Sequence, residues 1–322
     1  MSPLLTNPYL NRTKKHKKRP PTAADLTELR QNPWAVALAS PARMCSITAV
    51  RAPRALLTEW GLVHRPNSDK YWFLPTGLLG DDIIEPKSND AEIADSSQAA
   101  GQRASSWQCL KLRTINSLSL LRRMEMRFSQ FKTKPRKPSS PIMRLVPYRW
   151  KYPNGPITAH EASLLVWRRG MPDFVLEKMR VDVLKRLKNV SGAQYDKHER
   201  DGVWRCIEMD EVSETVLLQG LKRMGSFERV ECGAILIMGS SQAGDGAVAG
   251  MYSLPDFIAL PQTASKVPLF DLSRLLSDAE RDELRRFDPR FQNMGLYFRP
   301  NDATTIDAFL ALWKLQGLVR HG

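Results

Sequence analysis

Residues 203–238, VWRCIEMDEVSETVLLQGLKRMGSFERVECGAILIM, carry the pattern that decides the fold class. Polar and apolar residues alternate over 203–209, as they do in a half-buried β-strand, and the apolar run at 232–238 is typical of a fully buried strand. A helical segment that ends at Gly225 lies between the two. This succession of strand, helix and strand predicts a mixed α/β fold.

Predicted helix boundaries before and after residues 203–238 extend the succession of helices and strands over residues 157–322. Pairs of side chains that can form a capping box predict the start of three further helices. These pairs are Thr158 with Glu161, Ser277 with Glu280, and Thr304 with Asp307. Gly170 and Gly317 are expected to end the first and the last of these helices, and Pro172 fits the first position of the helix that follows Gly170. Residues 296–299, LYFR, predict a short strand.

The composition is that of a soluble globular protein. Of the 322 residues, 42% are hydrophobic, and the mean hydropathy is -0.37. The longest apolar run, 233–238, is far shorter than the roughly 18–20 residues that cross a bilayer, so we expect no membrane insertion. The 4 cysteines stand alone, with neither the spacing of a zinc site nor the density of a disulfide scaffold.

The positive charge is concentrated in the first half of the chain. Residues 1–150 contain 25 Lys and Arg against 11 Asp and Glu, whereas residues 151–322 contain 23 of each, so the whole net charge of +14 is N-terminal. Such blocks of like charge favour a polyanionic partner. Nucleic acid is the first expectation and an anionic membrane surface the second, while a solvated basic face is the alternative without a partner.

Changes in composition predict four regions. Residues 1–31 form a basic N-terminal arm or targeting segment, and residues 32–131 form a basic region that contains a mobile acidic loop at 81–106. Residues 132–156 are rich in proline and basic residues and are predicted to form an extended linker. The mixed α/β domain then occupies 157–322.

The predicted RNA-binding residues combine basic clusters with interleaved aromatic side chains. A helix is expected from about Arg113, with arginines outside its apolar stripe, and the linker ends in a run of alternating aromatic and cationic residues that can stack on bases and contact phosphates. The predicted set is Lys14, Lys15, Lys17, Lys18 and Arg19 of the arm, Arg122, Arg123 and Arg127 of the helix, and Lys132, Lys134, Arg136, Lys137, Tyr148, Arg149, Trp150 and Lys151 of the linker.

An enzymatic alternative rests on the glycine-rich loop at 239–250, GSSQAGDGAVAG, which follows a predicted buried strand. The loop approximates a hydrolase nucleophile elbow around Ser241, but the one histidine downstream of it is His321, next to the chain end. Its glycines are also spaced one residue too far apart for a dinucleotide-binding fingerprint. We therefore expect that the protein is not an enzyme and that it has no catalytic residue, no metal site and no cofactor. A hydrolase or nucleotide-dependent enzyme that uses the loop at 239–250 is the second alternative function.

Four stretches resemble a fungal lineage of mitochondrial ribosomal proteins that lack bacterial counterparts. They are NPWAVALASPARMCSITAVRAPRALLTEWGL at 32–62, VWRRGMPDFVLEKMRVDVLKRL at 166–187, VPLFDLSRLLS at 267–277 and LWKLQGLV at 312–319. The resemblance implies a structural constituent of the mitochondrial ribosome, in the small subunit, that contacts ribosomal RNA and neighbouring mitochondrial ribosomal proteins. It implies no catalytic residue and no small-molecule substrate.

The resemblance also implies a location in the mitochondrial matrix. The basic cluster at 14–19, KKHKKR, is equally typical of a nuclear localisation signal, so the nucleus or nucleolus is the alternative location. The first alternative function is a mitochondrial RNA-binding or translation factor that is not part of the ribosome.

Overall fold

The structure is a computed structural model that describes residues 20, 22–66, 68–79, 111–129, 141–145, 159–192, 202–225, 229–239 and 254–320. The helices in these residues are Ala23–Arg30 (α1), Pro33–Ala39 (α2), Leu118–Ser129 (α3), Ala159–Leu164 (α4), Met171–Ser191 (α5), Glu214–Arg223 (α6), Leu272–Leu275 (α7), Asp278–Phe287 (α8) and Ala303–Val319 (α9). The strands are Ala42–Met44 (β1), Arg51–Pro53 (β2), Thr58–His64 (β3), Tyr71–Leu74 (β4), Leu112–Thr114 (β5), Leu165–Val166 (β6), Trp204–Ile207 (β7), Ala234–Ile237 (β8), Phe257–Ala259 (β9), Lys266–Asp271 (β10) and Gly295–Phe298 (β11).

A five-stranded mixed sheet in the order β7-β11-β8-β10-β9 confirms the predicted mixed α/β fold. β8 and β10 run parallel, and the remaining neighbours are antiparallel. The predicted buried strand lies in the middle of this sheet as β8, and all of its residues are buried. A central strand that is covered on both faces needs apolar side chains at every position, which explains the uninterrupted apolar run.

The two faces of this sheet contribute to two hydrophobic clusters. Because successive side chains of a strand point to opposite faces, Ala234 and Leu236 belong to the larger cluster, whereas Ile235 and Ile237 belong to the smaller one. Leu217 and other apolar residues of α6 cover the smaller cluster, and α5 and α9 contribute most of the helical side chains of the larger one.

A four-stranded sheet in the order β5-β3-β4-β6 joins residues from both sides of the predicted linker. β6 lies beyond the linker in sequence and pairs parallel with β4, Tyr71 opposite Leu165. Next to this pair, the ring of Trp60 stacks on the rings of Phe73 and Trp167, with centroids 5.1 and 6.0 Å apart. The sheet therefore ties strands on the N-terminal side of the linker to one that follows it.

The larger hydrophobic cluster also crosses the predicted boundary. The Trp34 ring of α2 meets the rings of Phe309 and Trp313 of α9 edge to face, at 5.3 and 4.8 Å. Within the predicted linker, Pro141–Arg144 forms a 3-10 helix instead of an extended chain, and Ile142 is buried in the same cluster. The division at 132–156 stays a prediction, and the described residues on its two sides share a core.

Two element boundaries differ from the sequence prediction because neighbouring strands compete with the helical repeat. Leu112–Thr114 pairs with β3, so α3 begins at Leu118 and not near Arg113. The helix predicted to run to Gly170 ends at Leu164, since the next two residues form β6. Thr158 lies outside the described residues. Gly170, with φ of 67°, directly precedes α5, and Pro172 is the second residue of that helix, one position later than predicted.

Of the three predictions about the ends of the last two long helices, one is correct and two are wrong. Ser277 and Glu280 form the predicted capping box at the start of α8. α9 begins two residues earlier than predicted, because Asp302 and Thr305 form its capping box. Gly317 does not end α9, which continues to Val319 because Leu315 and Leu318 on either side of the glycine are buried.

Residues 80–110, which include the predicted acidic loop, lie outside the described residues, as do residues 1–19 of the predicted arm. The last part of that arm forms α1, whose N-terminus Thr22 and Asp25 cap. In the described part of the chain, no helix combines the length and the apolar character that a membrane crossing requires.

Candidate nucleic-acid interface and a charged cleft

Three of the predicted RNA-binding residues are described: Arg122, Arg123 and Arg127 of α3. The others lie outside the described residues and stay predictions. They are Lys14, Lys15, Lys17, Lys18, Arg19, Lys132, Lys134, Arg136, Lys137, Tyr148, Arg149, Trp150 and Lys151.

α3 is amphipathic in the way its sequence predicts. Leu121 and Met124 are buried against the large core, whereas Arg122, Arg123 and Arg127 are exposed. None of the three arginines forms an ion pair or hydrogen bond with another described residue. The helix therefore exposes three guanidinium groups that have no partner in the described part of the chain, each with donors for a phosphate or a base edge.

The turn before α5 adds a fourth cation beside this helix. The Gly170 amide donates a hydrogen bond to the Glu125 carboxylate of α3 (2.6 Å), which fixes the turn against the helix. Arg169, the residue before it, is exposed. Arg168 instead lies over the Phe174 ring, with its guanidinium carbon 3.8 Å from the ring centroid. Arg122, Arg123, Arg127 and Arg169 are called the arginine surface below.

A separate cleft of about 480 Å³ lies where the N-terminal elements meet the two long helices. Its walls come from the beginning of β3, the 3-10 helix Thr76–Leu78, and facing stripes of α5 and α9. Residues three, four or seven apart share one face of a helix, which brings the stripes together. The stripes are Met179, Asp182 and Arg186 of α5, and Asp307, Leu310, Ala311 and Lys314 of α9.

One wall of the cleft carries a single carboxylate, Glu59, among three cations. Lys111 and Arg113 each lie 2.9 Å from a Glu59 oxygen, and Arg54 lies 3.7 Å away. Burial alone would raise the pKa of Glu59, but the hydrogen bond to Lys111 and the charges of the three cations lower it overall. The carboxylate is therefore ionised at neutral pH, and the wall keeps an excess of positive charge.

On the opposite wall, Arg186 contacts two carboxylates, those of Asp182 and Asp307. Its Nε donates to both Asp182 oxygens, at 3.0 and 2.9 Å, and one terminal nitrogen lies 3.6 Å from Asp307. Lys314 lines the same wall without a hydrogen bond or direct ion pair to any described residue. Burial lowers the pKa of Lys314, and the nearby charge of Arg186 lowers it further, while Asp182 and Asp307 only partly oppose this.

The residues of the enzymatic alternative lie almost entirely outside the described residues, including Ser241 and His321. At the start of the loop, Gly239 has a φ of 72°, and a Cβ built there would lie 3.0 Å from the Ser273 Cβ. The carbonyls of Met238 and Gly239 accept hydrogen bonds from Arg281 and Arg285. Among the described residues, no group of histidine, cysteine and acidic side chains is arranged to hold a metal ion.

The sequence predicted the arginines of α3 but not the cleft. Arg186 and Lys314 fall on charged positions of long helices, where solvent exposure is the ordinary expectation. One local indication was present: Asp307 and Lys314 are seven residues apart with apolar residues between them, so they share a half-buried face. Nothing in the sequence indicated that β3 and β5 pack against that face.

Comparison of the chain with known protein families, curated proteins and solved structures finds no match.

Proposed function

We propose that the protein is a structural, RNA-contacting constituent of the mitochondrial ribosome, located in the matrix and without a catalytic role. The observation that carries the RNA part of this proposal is the arginine surface, whose guanidinium groups form no ion pair or hydrogen bond with another described residue. The ribosomal part rests on the resemblance of residues 32–62, 166–187, 267–277 and 312–319 to fungal mitochondrial ribosomal proteins.

The geometry of α3 supports a polyanion as the partner. An exposed helix face has no walls that would enclose a small ligand, whereas RNA can lie across it and meet several guanidinium groups at once. Counterions that leave the phosphates supply much of the free energy of such binding, so the affinity falls steeply as salt rises. The basic segments at 11–20 and 132–151 are predicted to extend the same contact.

The test is the salt dependence of RNA affinity, measured by fluorescence anisotropy with the full-length protein and a labelled single-stranded RNA. Replacing Arg122, Arg123 and Arg127 together by Gln removes three predicted phosphate contacts. Each contact contributes about 0.7 to the slope of log affinity against log salt for single strands, so the slope should decrease in magnitude by about 2 units.

A matched variant controls for the change in net charge. Arg223, Arg274 and Arg286 are exposed arginines of α6, α7 and α8, and their replacement by Gln removes the same charge. We expect this variant to keep the wild-type slope, and both variants to keep the wild-type thermal midpoint, because exposed substitutions change stability by no more than about 0.5 kcal/mol. Equal slopes for the two variants would contradict a role of the arginine surface.

Sedimentation distinguishes a ribosomal constituent from a free RNA-binding factor. Native protein from mitochondria should co-sediment with small ribosomal subunits at moderate salt and leave them after ribonuclease treatment. Migration as a free protein, with RNA affinity intact in the anisotropy assay, would instead support a mitochondrial RNA-binding or translation factor outside the ribosome.

A further inference from the structure

We propose that the cleft between β3, α5 and α9 binds a small organic anion. Its carboxylate or phosphate group would contact Lys314 and the neighbouring arginines, and its apolar part would pack inside the cleft. This proposal goes beyond RNA binding and does not depend on it, because no residue of the arginine surface lines the cleft.

The balance of charge in the cleft favours an anion. Four cationic and three acidic side chains line it, namely Arg54, Arg113, Arg186 and Lys314 against Glu59, Asp182 and Asp307. All three acids are engaged in ion pairs with arginines, and Glu59 is shared with Lys111 as well. The ammonium group of Lys314 is the cation without a direct partner among the described residues, so an incoming anion gains its attraction without displacing an acid.

Arg186 keeps hydrogen-bonding capacity for the same ligand. Its Nε is committed to Asp182 and one terminal nitrogen lies near Asp307, while its second terminal nitrogen has no described partner. A guanidinium group carries five N–H donors in a planar fork, which suits a carboxylate or phosphate oxygen. Lys314 and Arg186 line the same wall, so one head group is well placed to use both.

The rest of the lining suits an apolar body. Leu57, Leu78, Met179 and Leu310 supply hydrocarbon surface between the charged walls. The volume of about 480 Å³ lies within the roughly 300–1,000 Å³ of pockets that hold small organic molecules. Inorganic phosphate alone would leave this apolar surface exposed to water, so a ligand with both parts should bind more tightly.

The environment of Lys314 should make its amine more reactive toward aldehydes than that of an exposed lysine. Burial and the charge of Arg186 lower the pKa of Lys314, so a larger fraction of this amine is neutral at mild alkaline pH than for an exposed lysine. A neutral amine condenses with an aldehyde to form an imine and release water, and borohydride then reduces the imine to a stable secondary amine.

Pyridoxal phosphate is therefore a suitable probe, because it joins an aldehyde and a phosphate to an aromatic ring. Full-length protein is treated with the probe and borohydride, and the modified lysines are located by mass spectrometry. We expect Lys314 to be modified faster than Lys185, an exposed lysine of α5, because the pKa of Lys314 is lowered. Octanoate and adenosine monophosphate should protect Lys314, and at least one should do so at lower concentration than inorganic phosphate.

The second measurement is the affinity of the protein for an anion that does not react with it. Isothermal titration with the more protective of the two anions should show one site, and Lys314→Met should weaken binding by tenfold or more. Lys185→Met is the matched control and should leave the affinity unchanged. Modification of Lys314 no faster than of Lys185 would overturn the proposal, as would failure of both anions to protect it. Protection by octanoate alone would identify a carboxylate ligand, and protection by adenosine monophosphate alone a phosphate ester.

Discussion

The shared core predicts that the regions on the two sides of residues 132–156 unfold together. Leu62 of β3 and Leu187 of α5 lie on opposite sides of this segment, are 3% and 0% exposed, and belong to one hydrophobic cluster. Replacing either leucine by alanine removes the same buried atoms and leaves a cavity, which costs about 2–5 kcal/mol. For an ordered region of this size, a loss of about 3 kcal/mol lowers the thermal midpoint by roughly 6–12 °C.

Differential scanning calorimetry and denaturant unfolding followed by tryptophan fluorescence measure this effect. If one cooperative unit contains both leucines, wild-type protein shows a single main transition, and Leu62→Ala and Leu187→Ala lower that same transition by similar amounts. Leu38→Ala is the control, since Leu38 is 69% exposed and its truncation should change stability by no more than about 0.5 kcal/mol.

Two separable transitions would refute this reasoning. In that case Leu62→Ala would lower one of them and Leu187→Ala the other, and the boundary predicted at 132–156 would divide independently folding domains. A single transition that responds to one leucine only would show that the other side chain is not in the core.

Three further outcomes follow from particular contacts. Gly220→Ala should destabilise the protein by about 1–3 kcal/mol in urea, although alanine favours helices, because the new Cβ would lie 2.8 Å from the Glu208 carbonyl oxygen. Tyr297→Phe should cost about 1–3 kcal/mol in the same assay, because the buried Tyr297 hydroxyl donates to the Val230 carbonyl. Lys314→Met should stabilise the protein at pH 7 and reduce the rise of its stability with pH in the interval just below the ordinary lysine pKa of 10.5. The lowered pKa of Lys314 means that the unfolded wild-type chain binds more protons in this interval, so wild-type stability rises with pH there.

The parts of the fold that the sequence predicted are those fixed by local interactions or by complete burial. Ser277 and Glu280 cap α8 through contacts within one turn, and Pro172 fits the first turn of α5 whatever surrounds it. The apolar run of β8 has few alternatives to a central strand. These features need no knowledge of distant residues.

The wrong boundaries lie where a tertiary contact outweighs a local preference. Leu165–Val166 continues a helical pattern but pairs with β4, and Gly317 should end a helix but lies between buried leucines of α9. The same distinction separates the two candidate sites. The exposed position of the α3 arginines can be predicted from the periodicity of a single helix. The cleft cannot, because it joins side chains as distant in sequence as Arg54 and Lys314.

The two sites also show why the net charge of a half-chain is a coarse guide to its partners. The whole +14 excess lies in residues 1–150, yet Lys314 belongs to the half of the chain that has no net charge. In the basic half, Glu59 partly neutralises the basic residues that surround it. What matters for binding is whether each cation has an acid partner and what surrounds it. Arginines on an open helix face, without an acid partner among the residues that the structure describes, suit an extended polyanion whose phosphates can follow the surface. An ammonium that has no direct partner among the described residues, in a cleft with apolar lining, suits a ligand small enough to enter, because an RNA backbone would have to leave water to reach it.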